Sequence, residues 1–192
     1  MSVSCYKLTK QQTNPSERKT KMGMDVYGKN PKNDVGSYFR RNVWGWRPLW
    51  DYCVYNYNDL VGEVSGHTND GDGLGNEGSL ELARRIKEDL VSGKAQEYID
   101  QRNKAVSELP KETCELCKGT GIRTDNVGVE NGMPDRELEP ELAIITGRTK
   151  GWCNGCGGEG EKESFAIWYS LDLMDLSEFA EFLENSWGFE IC

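Results

Sequence analysis

The chain has 192 residues, 23 Lys and Arg against 32 Asp and Glu, one histidine and seven cysteines. That length suits a single domain, or one domain with a small inserted module. The net charge of −9 argues against generic binding along nucleic acid, which needs clustered cations on the phosphates. No apolar run approaches the roughly 20 residues of a membrane helix and no secretory signal opens the chain, so a cytoplasmic protein is expected. A single histidine excludes multi-histidine metal sites and most histidine-based catalysis.

Residues 1–23 are polar and carry Lys7, Lys10, Arg18, Lys19 and Lys21 against Glu17, a local +4 that leaves −13 for the rest. This composition predicts a basic N-terminal arm. Residues 24–112 read as a mainly helical part. Tyr38, Phe39, Trp44, Trp46, Trp50, Tyr52, Tyr55 and Tyr57 crowd its first half. Pro48 suits a first helical position, and Trp50, Cys53, Val54, Tyr57, Leu60 and Val61 follow helical spacing, so a helix is expected from about Pro48 to Val61. Its aromatic stripe reads first as core packing. The sharper reading is a partner surface of Arg40, Arg41, Trp44, Trp46, Arg47 and Trp50, because aromatics and arginine favour interface centres.

Residues 65–78 form a Gly/Asp loop. Asp70, Asp72, Gly75 and Glu81 partly match a calcium-loop pattern, but Leu74 stands where an oxygen ligand is needed. The better expectation is a turn followed by a helix with Ser79 as its N-cap. His67 with Asp70 and Asp72 is the one candidate acid–base group, and no nucleophile is placed with it. Leu82, Ala83, Ile86 and Leu90 continue that helix to Gly93. Ala95, Ile99, Arg102, Val106 and Leu109 mark a second helix, which Pro110 stops. Residues 163–192 predict a strand at Phe165, Ile167 and Tyr169, then a helix capped by Asp175 and Glu178 and ended by Gly188.

Between them, 113–162 carries one pattern twice: Cys114-Glu-Leu-Cys117-Lys-Gly119-Thr-Gly121 and Cys153-Asn-Gly-Cys156-Gly-Gly158-Glu-Gly160. Two cysteines three apart can place both thiolates on one ion, and the glycines let the backbone turn back toward the sulfurs. Two such knuckles supply four thiolates, the set of a closed structural zinc site. A disulfide framework is not expected without an export signal. A C-x-x-C redox pair would need one motif in a βαβ setting, and an iron–sulfur cluster fits the Gly-rich knuckles less well than zinc. The 35 residues 118–152 form a long excursion closed by the metal, and Trp152 is placed to cover it. Cys5, Cys53 and Cys192 carry no assigned role. The fold expected is α+β: a small mainly helical domain with an inserted zinc-ribbon-like β-hairpin module.

The doubled C-x-x-C-x-G-x-G motif resembles the zinc-binding region of DnaJ-type co-chaperones, where four copies make two zinc sites. The resemblance implies a zinc ribbon that contacts polypeptides. The His-Pro-Asp triplet of a J-domain is missing, because His67 is followed by Thr68 and Asn69, so no stimulation of an Hsp70-type ATPase is implied. More broadly the chain is similar to a family of small uncharacterised phage and bacterial proteins. Met22-Gly-Met-Asp-Val-Tyr-Gly28, Tyr38-Phe-Arg40, Asn42-Val-Trp44, Trp46-Arg-Pro-Leu-Trp50, Asn69-Asp-Gly-Asp-Gly73, the two knuckles and Gly188-Phe-Glu190 carry that similarity. It implies a viral source, hence a host-cell cytoplasm, and an arm added before Met22.

These readings point to a non-enzymatic, zinc-stabilised protein-binding module acting on a host protein, in a chaperone-like or inhibitory way. A nucleic-acid-binding zinc ribbon and an enzyme built on His67, Asp70 and Asp72 are the alternatives. No membrane partner is expected.

Overall fold

A computed structural model describes residues 23–123, 136–137, 140–146 and 150–192. All but the last residue of the basic arm, and most of the excursion, therefore lie outside the described residues. The fold is α+β, with three antiparallel sheets and five α-helices among the described residues. The chain divides into two compact units, Val106–Ile167 and the remainder.

The larger unit is built on a three-stranded sheet of order β2-β1-β7, with β1 at Gly23–Gly28, β2 at Tyr38–Asn42 and β7 at Phe189–Ile191. Both neighbours run antiparallel to β1, pairing Val26 with Phe39 and with Ile191. Alternation puts Met24, Val26, Phe39, Phe189 and Ile191 on the buried face. Asp25, Tyr27, Tyr38 and Arg40 take the opposite face, where Arg40 pairs with Asp25 at 3.2 Å. The Gly/Asp loop extends this sheet through an isolated bridge between Asp72 and Ile191.

Helix α1 spans Val43–Val61 and starts five residues before the expected Pro48. Asn42 caps it, its side chain accepting from the Gly45 N–H at 2.9 Å. Pro48 therefore sits inside the helix, where it removes an N–H from the ladder, and the ladder breaks again at Tyr57 (φ −136°, ψ 38°). Helix α2 spans Asn76–Ser92 with Gly75 as N-cap, not Ser79. Ser79 is fully buried and bonds the Leu183 carbonyl at 2.8 Å, so packing against the C-terminal helix overrides its capping preference. Gly93 ends α2 at φ 85°, as expected. Helix α3, Lys94–Ser107, buries Ala95 and Ile99 and stops before Pro110.

Helix α5, Leu173–Ser186, begins one turn earlier than expected. Asp172 is the N-cap and Asp175 closes a reciprocal capping box with it. Its C-terminus is held by the β1–β2 loop, where Lys32 N–H donates to the Asn185 carbonyl and Asn30 N–H to that of Ser186. The expected strand at Phe165 is a 3-10 turn, Phe165–Trp168.

The core lies between sheet and helices. Trp46 stacks on Trp50 with centroids 5.6 Å apart and meets Phe179 edge-on at 5.7 Å. Its Nε1–H donates to the Gly66 carbonyl at 2.6 Å. A Cβ at Gly66 would stand 1.9 Å from the Trp50 ring, so only glycine lets the loop close on the indole.

A second buried feature ties α1 to α2. The hydroxyls of Tyr52 and Tyr57 both donate to Asp89 Oδ2, at 2.9 and 2.7 Å. Asp89→Ala removes the acceptor from two buried phenols and should cost about 2 kcal/mol, read as a lower denaturant midpoint at unchanged slope. An unchanged midpoint would show that the network adds nothing to stability.

Candidate metal centre

From Glu112 to Lys162 the described residues of the smaller unit form two short ladders and a helix. Strand β3, Glu112–Thr113, pairs with β6, Glu161–Lys162, and so joins the outer ends of the two knuckles. Within the excursion, β4 (Arg136–Glu137) pairs with β5 (Lys150–Gly151) around helix α4 (Pro140–Thr146). The module is thus two short ladders and a helix, where the sequence suggested one hairpin.

The knuckles bring Cys114, Cys117, Cys153 and Cys156 together, all four Sγ atoms lying within 4.8 Å of one another. Cys114 Sγ is 3.8 Å from Cys153 Sγ, and Cys117 Sγ is 3.7 Å from Cys156 Sγ. Four thiolates about 2.3 Å from a tetrahedral ion have edges of about 3.8 Å. The donor set and its spacing therefore fit one metal ion with no further ligand. Three of the cysteines are buried and Cys156 is partly exposed.

The two copies of the motif are related by a local two-fold. Lys118 and Gly157 share a left-handed conformation (φ 52° and 64°), as do Gly119 and Gly158 (85° and 83°) and Gly121 and Gly160 (71° and 84°). The bonds between copies are reciprocal. Cys114 N–H donates to the Gly160 carbonyl at 2.8 Å, and Cys153 N–H to the Gly121 carbonyl at 2.9 Å. Each last glycine also presses on the other copy: a Cβ on Gly121 would lie 2.4 Å from the Gly158 oxygen, and one on Gly160 would lie 2.3 Å from the Gly119 oxygen. The motif's final glycines thus serve inter-knuckle packing as well as the turn.

Backbone N–H groups also aim at the sulfurs. Gly160 N–H donates to Cys156 Sγ at 3.2 Å. Burial raises the Cys114 thiol, but hydrogen bonds from the N–H groups of Cys117 and Leu116 and from the Cys117 and Cys153 thiols together lower its pKa to about 7. Cys153 goes the other way: burial pushes it up to about 12, against the pull of the Gly155 N–H. A dication beside the four sulfurs favours their charged forms. Trp152 is half-buried with its ring edge near Gly157, beside the second knuckle.

Gly160→Ala places a side chain at φ +84° and against backbone. By disturbing the N–H bonded to Cys156 it should weaken zinc binding roughly 10- to 100-fold in a competitive chelator titration. Gly75→Ala, which meets open space, is the control and should bind as the parent does.

The aromatic surface expected around α1 needs correction. Trp46 is fully buried and Trp50 is 1% exposed, so neither ring can touch a partner. They lie on the face that α1 turns to the sheet and α5. Arg41 bonds Asp175 at 2.7 Å and also Glu178, and its guanidinium lies over the Phe39 ring. Arg40 holds Asp25. Trp44 meets the Tyr169 ring edge-on at 4.9 Å, and Arg47 reaches the Tyr169 hydroxyl at 3.3 Å. The arginines of the expected partner surface are thus committed to neighbours within the fold.

The Gly/Asp loop has structural work. Asp72 accepts from the N–H groups of Ser65 and Gly73, bonds that hold its carboxyl below the usual range. His67 pairs with Asp51 at 3.1 Å. Glu81 is bound by Arg84 and Arg85. Among the described residues only the four cysteines gather three or more potential metal ligands, so the partial calcium pattern forms no such site. Cys53 is a fully buried free thiol, and Cys192, left without a role by the sequence, is disulfide-bonded.

No helix among the described residues is long and apolar enough to cross a membrane. No family model, curated protein or solved structure matches the chain.

Proposed function

We propose that the chain is a non-enzymatic protein-binding module whose smaller unit is held by one structural zinc ion on Cys114, Cys117, Cys153 and Cys156. The observation that carries this reading is the closed four-sulfur set, which leaves no position for a substrate or an activated water. Four soft anionic donors favour zinc over calcium or magnesium. Support for protein binding comes from the same unit, which leaves Leu116, Ile144, Ile145 and Phe165 exposed by half or more. Where such side chains gather into one patch they form a contact surface. In the viral setting that the resemblance suggests, the partner is a host protein.

The test is capture of a host protein by the tagged full chain, compared with Cys114→Ser. The expected result is saturable binding of a defined partner, lost in the variant. Nothing above background, or equal capture by both, contradicts the reading.

A further inference from the structure

We propose that Cys156 is a site of oxidation by peroxide and that Cys117 is the thiol that resolves it, so that the first disulfide crosses the two knuckles. The inference rests on the four-thiolate reading and adds a reaction to it. Its basis is an asymmetry within the cluster. Cys114, Cys117 and Cys153 are 1%, 6% and 0% exposed, and of the four Cys156 alone is partly exposed. The local two-fold exchanges Cys114 with Cys153 and Cys117 with Cys156. It therefore sets the two first cysteines side by side, 3.8 Å apart and nearly sealed, and the two second cysteines 3.7 Å apart with solvent at one of them. An oxidant from solvent meets Cys156 first, and the sulfur at hand across the two-fold is that of Cys117.

The chemistry balances with hydrogen peroxide as the named oxidant. The Cys156 thiolate attacks one peroxide oxygen. An S–O bond forms, the O–O bond breaks, and the departing hydroxide takes a proton and leaves as water. Cys117 thiolate then attacks the Cys156 sulfur. An S–S bond forms, the S–O bond breaks, and the second hydroxide leaves as water. The two sulfurs give up two electrons, and one peroxide becomes two waters.

Cys114 and Cys153 then remain as two ligands of four, too few for a closed tetrahedral site. The new bond still ties residue 117 to residue 156, so the long excursion stays closed. The reciprocal bonds of Cys114 and Cys153 to the opposite knuckle join backbone groups that the reaction does not touch. A disulfide within one knuckle would make no covalent tie between the two knuckles.

The experiment treats the zinc-loaded full chain with one equivalent of hydrogen peroxide. Released zinc is read with a chromogenic chelator, and disulfides are mapped by non-reducing peptide mass spectrometry after alkylation. Dimedone in a parallel sample traps the sulfenic acid. The expected result is dimedone on Cys156, Cys117–Cys156 as the main crosslink, and one zinc released per crosslink. A main crosslink of Cys153–Cys156 or Cys114–Cys117, dimedone on a buried cysteine, or crosslinking without zinc release overturns the proposal. A chain with no zinc before peroxide instead contradicts the metal reading, and the same mapping on its free thiols still decides the pairing.

Discussion

Cys153→Ser should abolish stoichiometric zinc binding and unfold Val106–Ile167 while α1, α2 and α5 stay folded. Cys153 is fully buried at the meeting of the two knuckles, and its own N–H bonds the opposite copy. Among the described residues, little else holds the smaller unit. Its buried cluster is Cys114, Cys117 and Cys153 with Cys156 packed against them, and its ladders are two residues per strand. Structural zinc supplies about 10–16 kcal/mol of apparent binding free energy at neutral pH in comparable small modules, far more than such ladders contribute. Hydrogen exchange read by region should show protection lost over 106–167 and kept over the larger unit's core. Equal protection of the smaller unit in parent and variant would show that the metal is dispensable to its fold.

Trp46→Ala should destabilise the larger unit by about 3–5 kcal/mol, the usual cost of deleting a buried aromatic. The indole touches Trp50, Phe39 and Phe179 and satisfies the Gly66 carbonyl, so its loss opens a cavity at the centre of the core and removes a buried donor. Thermal or denaturant unfolding reads the effect. The same variant separates the two roles the sequence allowed for this residue. A core residue lowers stability, whereas a surface anchor would lower partner binding at unchanged stability. An unchanged melting temperature would therefore contradict the packing described above.

The metal centre was legible because its chemistry is local. Each C-x-x-C-x-G-x-G octet contains both its ligands and the glycines that turn the chain, and no distant residue is needed to recognise it. The reciprocal contact of Gly121 with Gly158 and of Gly160 with Gly119 was not legible, because a single octet shows only that a glycine permits a turn. The duplication itself was the available signal: two copies of one pattern that bring four cysteines together can face each other about a two-fold.

Helix interiors were readable from apolar spacing, but their starts were misplaced by one or two turns. Ser79 and Asp175 have capping side chains, yet tertiary packing at Ser79 and a better-placed Asp172 moved the ends. The three-stranded sheet was missed although Met24 and Val26 alternate with Asp25 and Tyr27, since its partners lie at Phe39 and Ile191, far along the chain. The buried Trp46 and Trp50 show the limit of composition: a row of aromatics with arginines looks the same as an interface or as a core until the opposing elements are placed.

We propose above that four cysteines from two symmetric knuckles hold one zinc ion. The most direct test is metal analysis of the purified full chain together with the absorption spectrum of the cobalt-substituted form. One zinc per chain is expected, and for cobalt the intense visible bands and thiolate charge-transfer absorption of a tetrahedral four-sulfur site. Absence of bound metal, or a cobalt spectrum of an octahedral or oxygen-ligated ion, would contradict it.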